Sequence, residues 1–303
     1  MKNLHSQTLT DLSARFIVPS GNYKGLLFIF DGDTQASQNF TAGLMGNITV
    51  NVDGRQKSAV DLDKLAVLNS YDFGCIEATN VEGAGFRFNA FLPLVDYADD
   101  SGYHLSPDKK MEILASFTGA TATIVETGNF KCFGITCDNT LIQTYELRYN
   151  NHHLTIGAAG TFPFRIFQDN VRRLLIEQDS NLTSLSVKKD GVTIFDMTDK
   201  DDLNSLTNLF NNIETFSATL SDIVIDCSGS DDEVAAQNDD IELLITAGAA
   251  CTVNVIVESM DITPNKSAKS VTASENALRE KINRKYGKGV EVIAESMEEE
   301  LID

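Results

Sequence analysis

Two stretches of this sequence recur in the same order at nearly the same spacing, and that duplication constrains the fold more than any single motif. Ile48-Thr-Val-Asn-Val-Asp-Gly54 and Leu185-Ser-Val-Lys-Lys-Asp-Gly191 each alternate apolar residues on one strand face and then break at Asp-Gly, with Gly191 lying 137 positions after Gly54. Asp-Gly between strands is a tight-turn signal, because both central residues of such a turn need positive φ. Each stretch is followed by leucines three residues apart, Leu62, Leu65 and Leu68 in the first and Leu203, Leu206 and Leu209 in the second. That spacing predicts a short helix with one apolar stripe. Further on, Met111 to Ile124 and Ile241 to Asn254 align without gaps at an offset of 130 positions, each reading as a buried strand, a small-residue corner and another strand. A duplicated domain accounts for two matched motifs in one order better than chance resemblance between strands.

Strand signals fill the chain to about residue 263: Arg15-Phe-Ile-Val, Leu26-Leu-Phe-Ile-Phe, Phe86-Arg-Phe-Asn-Ala-Phe and Thr121-Ala-Thr-Ile-Val are β-branched or aromatic runs separated by Gly, Asn and Asp. No regular alternation of strand with long helix appears, so antiparallel sandwiches are expected in place of βαβ units. With 42% hydrophobic residues and 17 Phe, a chain of 303 residues can fill two cores. The expected boundary falls near Tyr149 to Pro163, where Asn150-Asn151-His152-His153 and Gly157-Ala-Ala-Gly160 interrupt the pattern, giving domains 1–155 and 156–263. The connections Asp72 to Gly85, Asp96 to Lys109 and Ser228 to Asp240 read as long surface loops.

After Pro264 the composition turns helix-forming and charged. Ser274 is a helix-cap candidate before Leu278, Ile282 and Tyr286; Gly287 and Gly289 break that helix, and Val290, Ile293, Met297 and Leu301 form a second stripe. Residues 264–289 carry seven basic side chains against Glu275 and Glu280, whereas the last stretch is purely acidic. A basic amphipathic helix suits an anionic membrane surface, and oppositely charged helices suit neighbouring subunits. A solvated appendage is the plain alternative.

The 24 Lys and Arg against 44 Asp and Glu give a net charge of -20, the wrong sign for holding a phosphate backbone, so the main body is not expected to bind nucleic acid. Five cysteines without a clustered framework read as reduced thiols in a cytosol. Cys132 and Cys137 form a lone C-x4-C with no second pair, and are expected in the core rather than on zinc. The polar start and the short run Leu26 to Phe30 offer neither a signal-peptide core nor a membrane span, and Asn39, Asn47 and Asn181 match the glycan acceptor pattern by chance. His5, His104, His152 and His153 supply no His-x-His pair, and no nucleophile elbow, phosphate-cradling loop or His-Glu-x-x-His occurs. His152 and His153 read as linker or strand-edge residues. No catalytic, cofactor-binding or metal-ligating residue is therefore assigned. Calcium as a structural ion is the one cofactor weighed, at Asp31-Gly-Asp33 or at Asp231, Asp232, Glu233, Asp239 and Asp240, where solvated acidic tips are the plainer reading.

The block Ile48 to Arg55 with Leu62 and Leu65, and its counterpart Val187 to Gly191 with Leu203 to Phe210, resembles the double jelly-roll major capsid proteins of icosahedral bacteriophages with an internal membrane. The corticovirus-type phages and the lipid-containing single-stranded DNA phage of Flavobacterium are the comparisons. The resemblance covers most of residues 10–263 in order of elements. It implies two tandem eight-stranded jelly rolls with short inserted helices, standing upright on a virion surface. It also implies homotrimeric pseudo-hexagonal capsomers, contacts with neighbouring trimers and minor capsid proteins, and a shell around a lipid vesicle, built from chains made in the host cytoplasm. The family has no catalytic residues to carry over, so no enzyme activity is expected. The charged tail from 264 to 303, expected to be helical, has no match in the family pattern. The alternative is a carbohydrate-binding or spike-type tandem sandwich, which needs exposed aromatic platforms; Trp is absent, and Tyr97 and Tyr103 are the tyrosines in the candidate loops.

Overall fold

A computed structural model describes residues 1–8, 12–35, 38, 40, 42–73, 79–80, 85–95, 102–137, 146–177, 180–197, 222–227 and 238–261. The expected second helix at Leu203 to Leu209, the loop acids Asp231 to Glu233 and the whole charged tail lie outside the described residues.

The first half contains β1 (Lys2–Thr8), β2 (Ser13–Val18), β3 (Gly21–Thr34), β4 (Asn47–Val52), β5 (Arg55–Asp61), helix α1 (Leu62–Phe73), β6 (Thr79–Asn80), β7 (Gly85–Pro93), β8 (Tyr103–Leu105), β9 (Met111–Ser116), the single-turn α2 (Thr121–Ile124) and β10 (Val125–Thr136). The second half contains β11 (Glu146–Ile156), β12 (Gly160–Asp169), β13 (Val171–Ile176), β14 (Leu182–Lys189), β15 (Val192–Met197), β16 (Ile223–Asp226), β17 (Asn238–Ala247) and β18 (Cys251–Asp261).

Among the described residues all strand pairs are antiparallel, and they form four sheets. Sheet I runs β1-β10-β3-β7, with β6 added beside β7 and β8 beside β3; sheet II runs β2-β9-β4-β5. Sheet III runs β11-β18-β13-β16 and sheet IV β12-β17-β14-β15. With the short additions β6 and β8 set aside, each half has eight strands in chain order, and in both halves the first, eighth, third and sixth form one sheet and the second, seventh, fourth and fifth the other. Each half is an eight-stranded jelly roll.

The duplicated motifs explain this agreement. Asp53 and Gly54 turn β4 into β5 at φ 51° and 75°, and Asp190 and Gly191 turn β14 into β15 at φ 52° and 80°. Such paired positive φ values match the twist of a hairpin, which is why Asp-Gly stands at both corners. Leu62, Leu65 and Leu68 do form one buried stripe on α1. The first core is aromatic: Phe30 lies 5.4 Å from Phe40, 5.1 Å from Phe86 and 5.6 Å from Phe117, centroid to centroid. The second core is aliphatic, built on Ile241, Leu243, Ile245, Val253, Val255 and Val257 from alternating positions of β17 and β18.

Three expectations are corrected. Thr121-Ala-Thr-Ile is a helical turn, not a strand, because the Thr121 hydroxyl donates to the Leu44 carbonyl at 2.9 Å and Ile124 N–H bonds Ala120; tertiary hydrogen bonding outweighs β propensity there. Tyr103 to Leu105 is not a free loop tip but a strand on β3, with both Tyr103 and Leu105 buried. The boundary at 155/156 is displaced, since Glu146 to Ile156 pairs along its whole length with Asp261 to Cys251 and so is the first strand of the second jelly roll. The polar run Asn150 to His153 lies within an edge strand and is not a linker, and the crossing from one sandwich to the other falls between Thr136 and Glu146.

Candidate functional site at the joint between the sandwiches

Sheet III carries buried side chains on both faces. Val253, Val255 and Val257 of β18 point into the second core, while Ile256 on the opposite face, with Leu147 and Tyr149 of β11 and Leu175 of β13, belongs to the core of the first sandwich. Alternation along one strand therefore serves two cores. The chain of contacts is reinforced by backbone bonds: Leu147 N–H donates to the Leu94 carbonyl at 3.1 Å, and Tyr149 N–H donates to the Ser58 hydroxyl of β5 at 3.2 Å.

Helix α1 contributes two ionic ties across this joint. At its C-terminal end Asp72 pairs with the guanidinium of Arg173, which also holds Glu258 through Nε at 3.0 Å and Nη2 at 2.6 Å. Arg173 is 4% exposed and Glu258 1%, and Tyr149 hydrogen-bonds the same glutamate. Burial opposes the charge on Arg173, but Glu258 and Asp72 outweigh it and hold the pKa above the ordinary arginine value; burial drives the Tyr149 hydroxyl well up. At the other end of α1, Lys64 Nζ lies 3.0 Å from both Asp222 and Glu177 and 3.8 Å from Asp63. Burial works against Lys64 as well, and the three carboxylates overcome it; with one ammonium among three acids, burial prevails at Asp222 and Asp63, whose pKa values are raised.

A buried ion pair of this kind adds little net stability relative to apolar packing, but it fixes geometry, since removing one partner strands a charge. The two ties join the two jelly rolls across sheet III.

The residues singled out in the sequence are scattered. His5 stacks on Phe16 at 4.5 Å, His104 bonds Asn22, and His153 bonds Asn254 at 2.6 Å. His152 lies on the inner face of the edge strand β11, its Nε2 buried with no hydrogen bond to protein, and burial together with His153 lowers its pKa. Cys132 is buried in the first core, while Cys137 is only partly buried. Asp31 pairs with Lys131 at 2.7 Å, Asp33 accepts from the Thr127 hydroxyl, and Asp240 lies 3.7 Å from Arg165. Among the described residues no three acidic, His or Cys side chains gather as a metal would need, and no helix is long and apolar enough to cross a membrane. Tyr103, a candidate aromatic platform, is 8% exposed, and so offers a carbohydrate ring nothing to stack on. Sequence reasoning missed the joint. Arg173 and Glu258 lie 85 residues apart and Asp72 a further 101 from Arg173, with no local pattern to link them.

Comparison with known proteins agrees with this architecture. Solved structures match over nearly all of the described body: the major capsid protein of Sulfolobus Turreted Icosahedral Virus is 12% identical, with a TM-score of 0.63, covering 87% of this chain and 98% of that one. The major capsid protein P2 from Bacteriophage PM2 is 14% identical, with a TM-score of 0.53, covering 86% and 99%; PBCV-1 VP54 is 7% identical, with a TM-score of 0.53, covering 86% and 92%. No curated protein sequence matches the chain. The fold is that of the double jelly-roll capsid proteins of viruses. Residues 147–263 match the family model of the viral coat protein P2 C-terminal domain.

Proposed function

We propose that this chain is the major capsid protein of an icosahedral virion, assembled as trimers that each present six similar sandwiches to a hexagonal lattice. The observation that carries the reading is the repetition of one eight-strand order in two sandwiches locked at a buried joint. Two like units at a fixed angle let three chains imitate sixfold packing while keeping threefold symmetry. Its place is the shell of the particle, and its work is subunit contact rather than catalysis.

Within that reading, the charged segment 264–303 contacts neighbouring subunits or the anionic surface of an internal membrane, and a structural calcium ion at acidic loop tips offsets part of the net charge of -20. Light scattering of the purified protein, with and without calcium, tests the proposal. A stable species of three chains, or larger shells, supports it; a single chain under every condition counts against it. Deleting residues 264–303 separates the roles of the tail: assembly that survives without them removes subunit contact, and binding of anionic vesicles by the full chain but not by the shortened one then distinguishes membrane contact from a solvated appendage.

A further inference from the structure

The face of sheet III that meets α1 is laid out in three rows. Tyr149, Glu258 and Arg173 stand opposite one another on β11, β18 and β13, and four residues along the strands His153, Asn254 and Glu177 do the same. Between these polar rows lies an apolar one, with Ile256, Leu175 and Val224 in register. Arg173 and Glu177 are separated by about 13 Å of strand, and Asp72 and Lys64 by about 12 Å of helix, so α1 has the length to tie both polar rows at once.

The two ends differ in charge. At the Asp72 end two guanidinium groups, Arg173 and Arg172, face two carboxylates, Asp72 and Glu258, with Arg172 3.7 Å from Glu258. At the other end, among the described residues, the Lys64 ammonium stands within 4 Å of three: Asp63 of α1, Glu177 after β13 and Asp222 before β16. Asp61 of β5 adds its charge to that of Asp63 from further off. Beyond Glu177 lie Asn254 of β18, whose amide donates to it, and His153 of β11, bonded to the Asn254 side-chain oxygen. The Lys64 and Asp222 side chains are only 14% and 11% exposed, so water screens this crowding in part.

We propose that the Lys64 end of the joint is a proton-operated clamp, which tightens when mild acid neutralises a carboxylate around Lys64 and eases as the pH rises, while the Arg173 end holds throughout. The proposal stands on the joint alone and does not depend on what the chain assembles into. Burial, foremost, holds the Asp63 and Asp222 carboxyls above the ordinary aspartate value of 3.8, against the pull of Lys64. A carboxyl that binds its proton more readily in the folded chain than in the unfolded one adds stability as the pH falls towards the ordinary value, and withdraws it as the pH rises past its own. The guanidinium groups at the other end keep their charge across this range. Helix α1 is thereby hinged at Asp72, and the seating of β16 against its first turn answers to pH.

The test reads the difference in unfolding temperature between variant and wild type at each pH from about 8 to about 5, so that the net charge and His152, common to both, cancel. Asp63→Asn keeps the side-chain oxygen that accepts the Lys64 N–H and removes one negative charge. It is expected to unfold about 2–4 °C above the wild type near pH 8, with the gain shrinking as the pH falls. Lys64→Met is expected to do the reverse, unfolding well below the wild type near pH 8 and regaining part of the loss in mild acid, as the carboxylates left behind take up protons. Amide exchange at Ile223 and Val224, beside Asp222, locates the effect. After correction for the intrinsic dependence on pH, their protection in the wild type is expected to fall severalfold between the acid and alkaline ends, and Asp63→Asn is expected to remove most of that fall. Should Lys64→Met fail to fold, Asp63→Asn decides alone. An Asp63→Asn protein that is less stable than the wild type near pH 8, or that differs from it by the same amount at every pH, overturns the proposal and leaves the capsid reading standing.

Discussion

The backbone N–H of Asp53 donates to the Lys110 carbonyl at 2.9 Å, and the Lys110 N–H donates back to the Asp53 carboxylate at 2.9 Å. The second sandwich repeats the clasp: Asp190 N–H donates to the Asp240 carbonyl at 2.9 Å, and Asp240 N–H returns to the Asp190 carboxylate at 3.0 Å. The aspartates at the two Asp-Gly corners thus tie each hairpin to the strand that pairs beside it. Asp53→Ala is expected to lose about 1–2 kcal/mol, from an abandoned hydrogen bond and from a side chain without local polar support at positive φ, whereas Asp53→Asn is expected to be nearly neutral. Urea unfolding of the two variants checks the difference.

The ionic tie at the joint makes a sharper prediction. Arg173→Met leaves Glu258 charged and buried, and is expected to cost about 3–5 kcal/mol. The double variant Arg173→Met with Glu258→Leu is expected to recover part of that loss, because an apolar pair of similar size needs no partner while the Tyr149 hydroxyl and Asp72 lose theirs. A double-mutant cycle by chemical denaturation reads the coupling directly.

The aromatic core of the first sandwich should respond to truncation in the usual way for large buried rings. Phe30, 1% exposed and in contact with three other rings, is expected to cost about 3–5 kcal/mol on replacement by Ala. Thermal unfolding followed by near-UV circular dichroism checks it.

His152 sets a pH dependence. Its pKa in the folded protein lies below the ordinary 6.5, so the unfolded chain binds the proton more readily. The stability associated with the neutral ring is present above about pH 6.5 and is lost as the pH falls below that value. His152→Leu, placed beside Val255 on the inner face of sheet III, is expected to remove this loss, and to gain roughly 1 kcal/mol at neutral pH by deleting an unsatisfied ring nitrogen. Melting curves at pH 7.5 and 5.5 distinguish the variant from the wild type.

Much of the fold was legible because its signals are local. Asp53-Gly54 and Asp190-Gly191 mark hairpins by their own backbone needs, and Leu62, Leu65 and Leu68 mark a helix by their spacing. The duplication made the order of elements readable before any coordinates. The joint was not legible, because Asp72, Arg173 and Glu258 look like ordinary charged residues on separate elements and acquire meaning only when α1 and sheet III meet. Glu146 to Ile156 misled for a related reason: a strand that serves two environments alternates polar and apolar side chains on neither face consistently, so Asn150 to His153 read as a break.

Edge protection follows the same logic of distant partners. Asn69 of α1 donates to the Phe91 carbonyl at 2.8 Å and accepts the Phe91 N–H at 2.7 Å, so a side chain occupies the backbone position that another strand would take.

The sharing of one core between the two halves also orders events during synthesis. Tyr149, Leu175 and Ile256 extend the core of the first barrel, yet they are translated after all of that barrel's own strands, and Ile256 emerges 120 residues after β10 ends at Thr136. Until then the side of the first sandwich that meets sheet III stays uncovered. That apolar surface waits on the last strand of the second sandwich, so the nascent chain is most open to misassociation in the interval before β18 arrives.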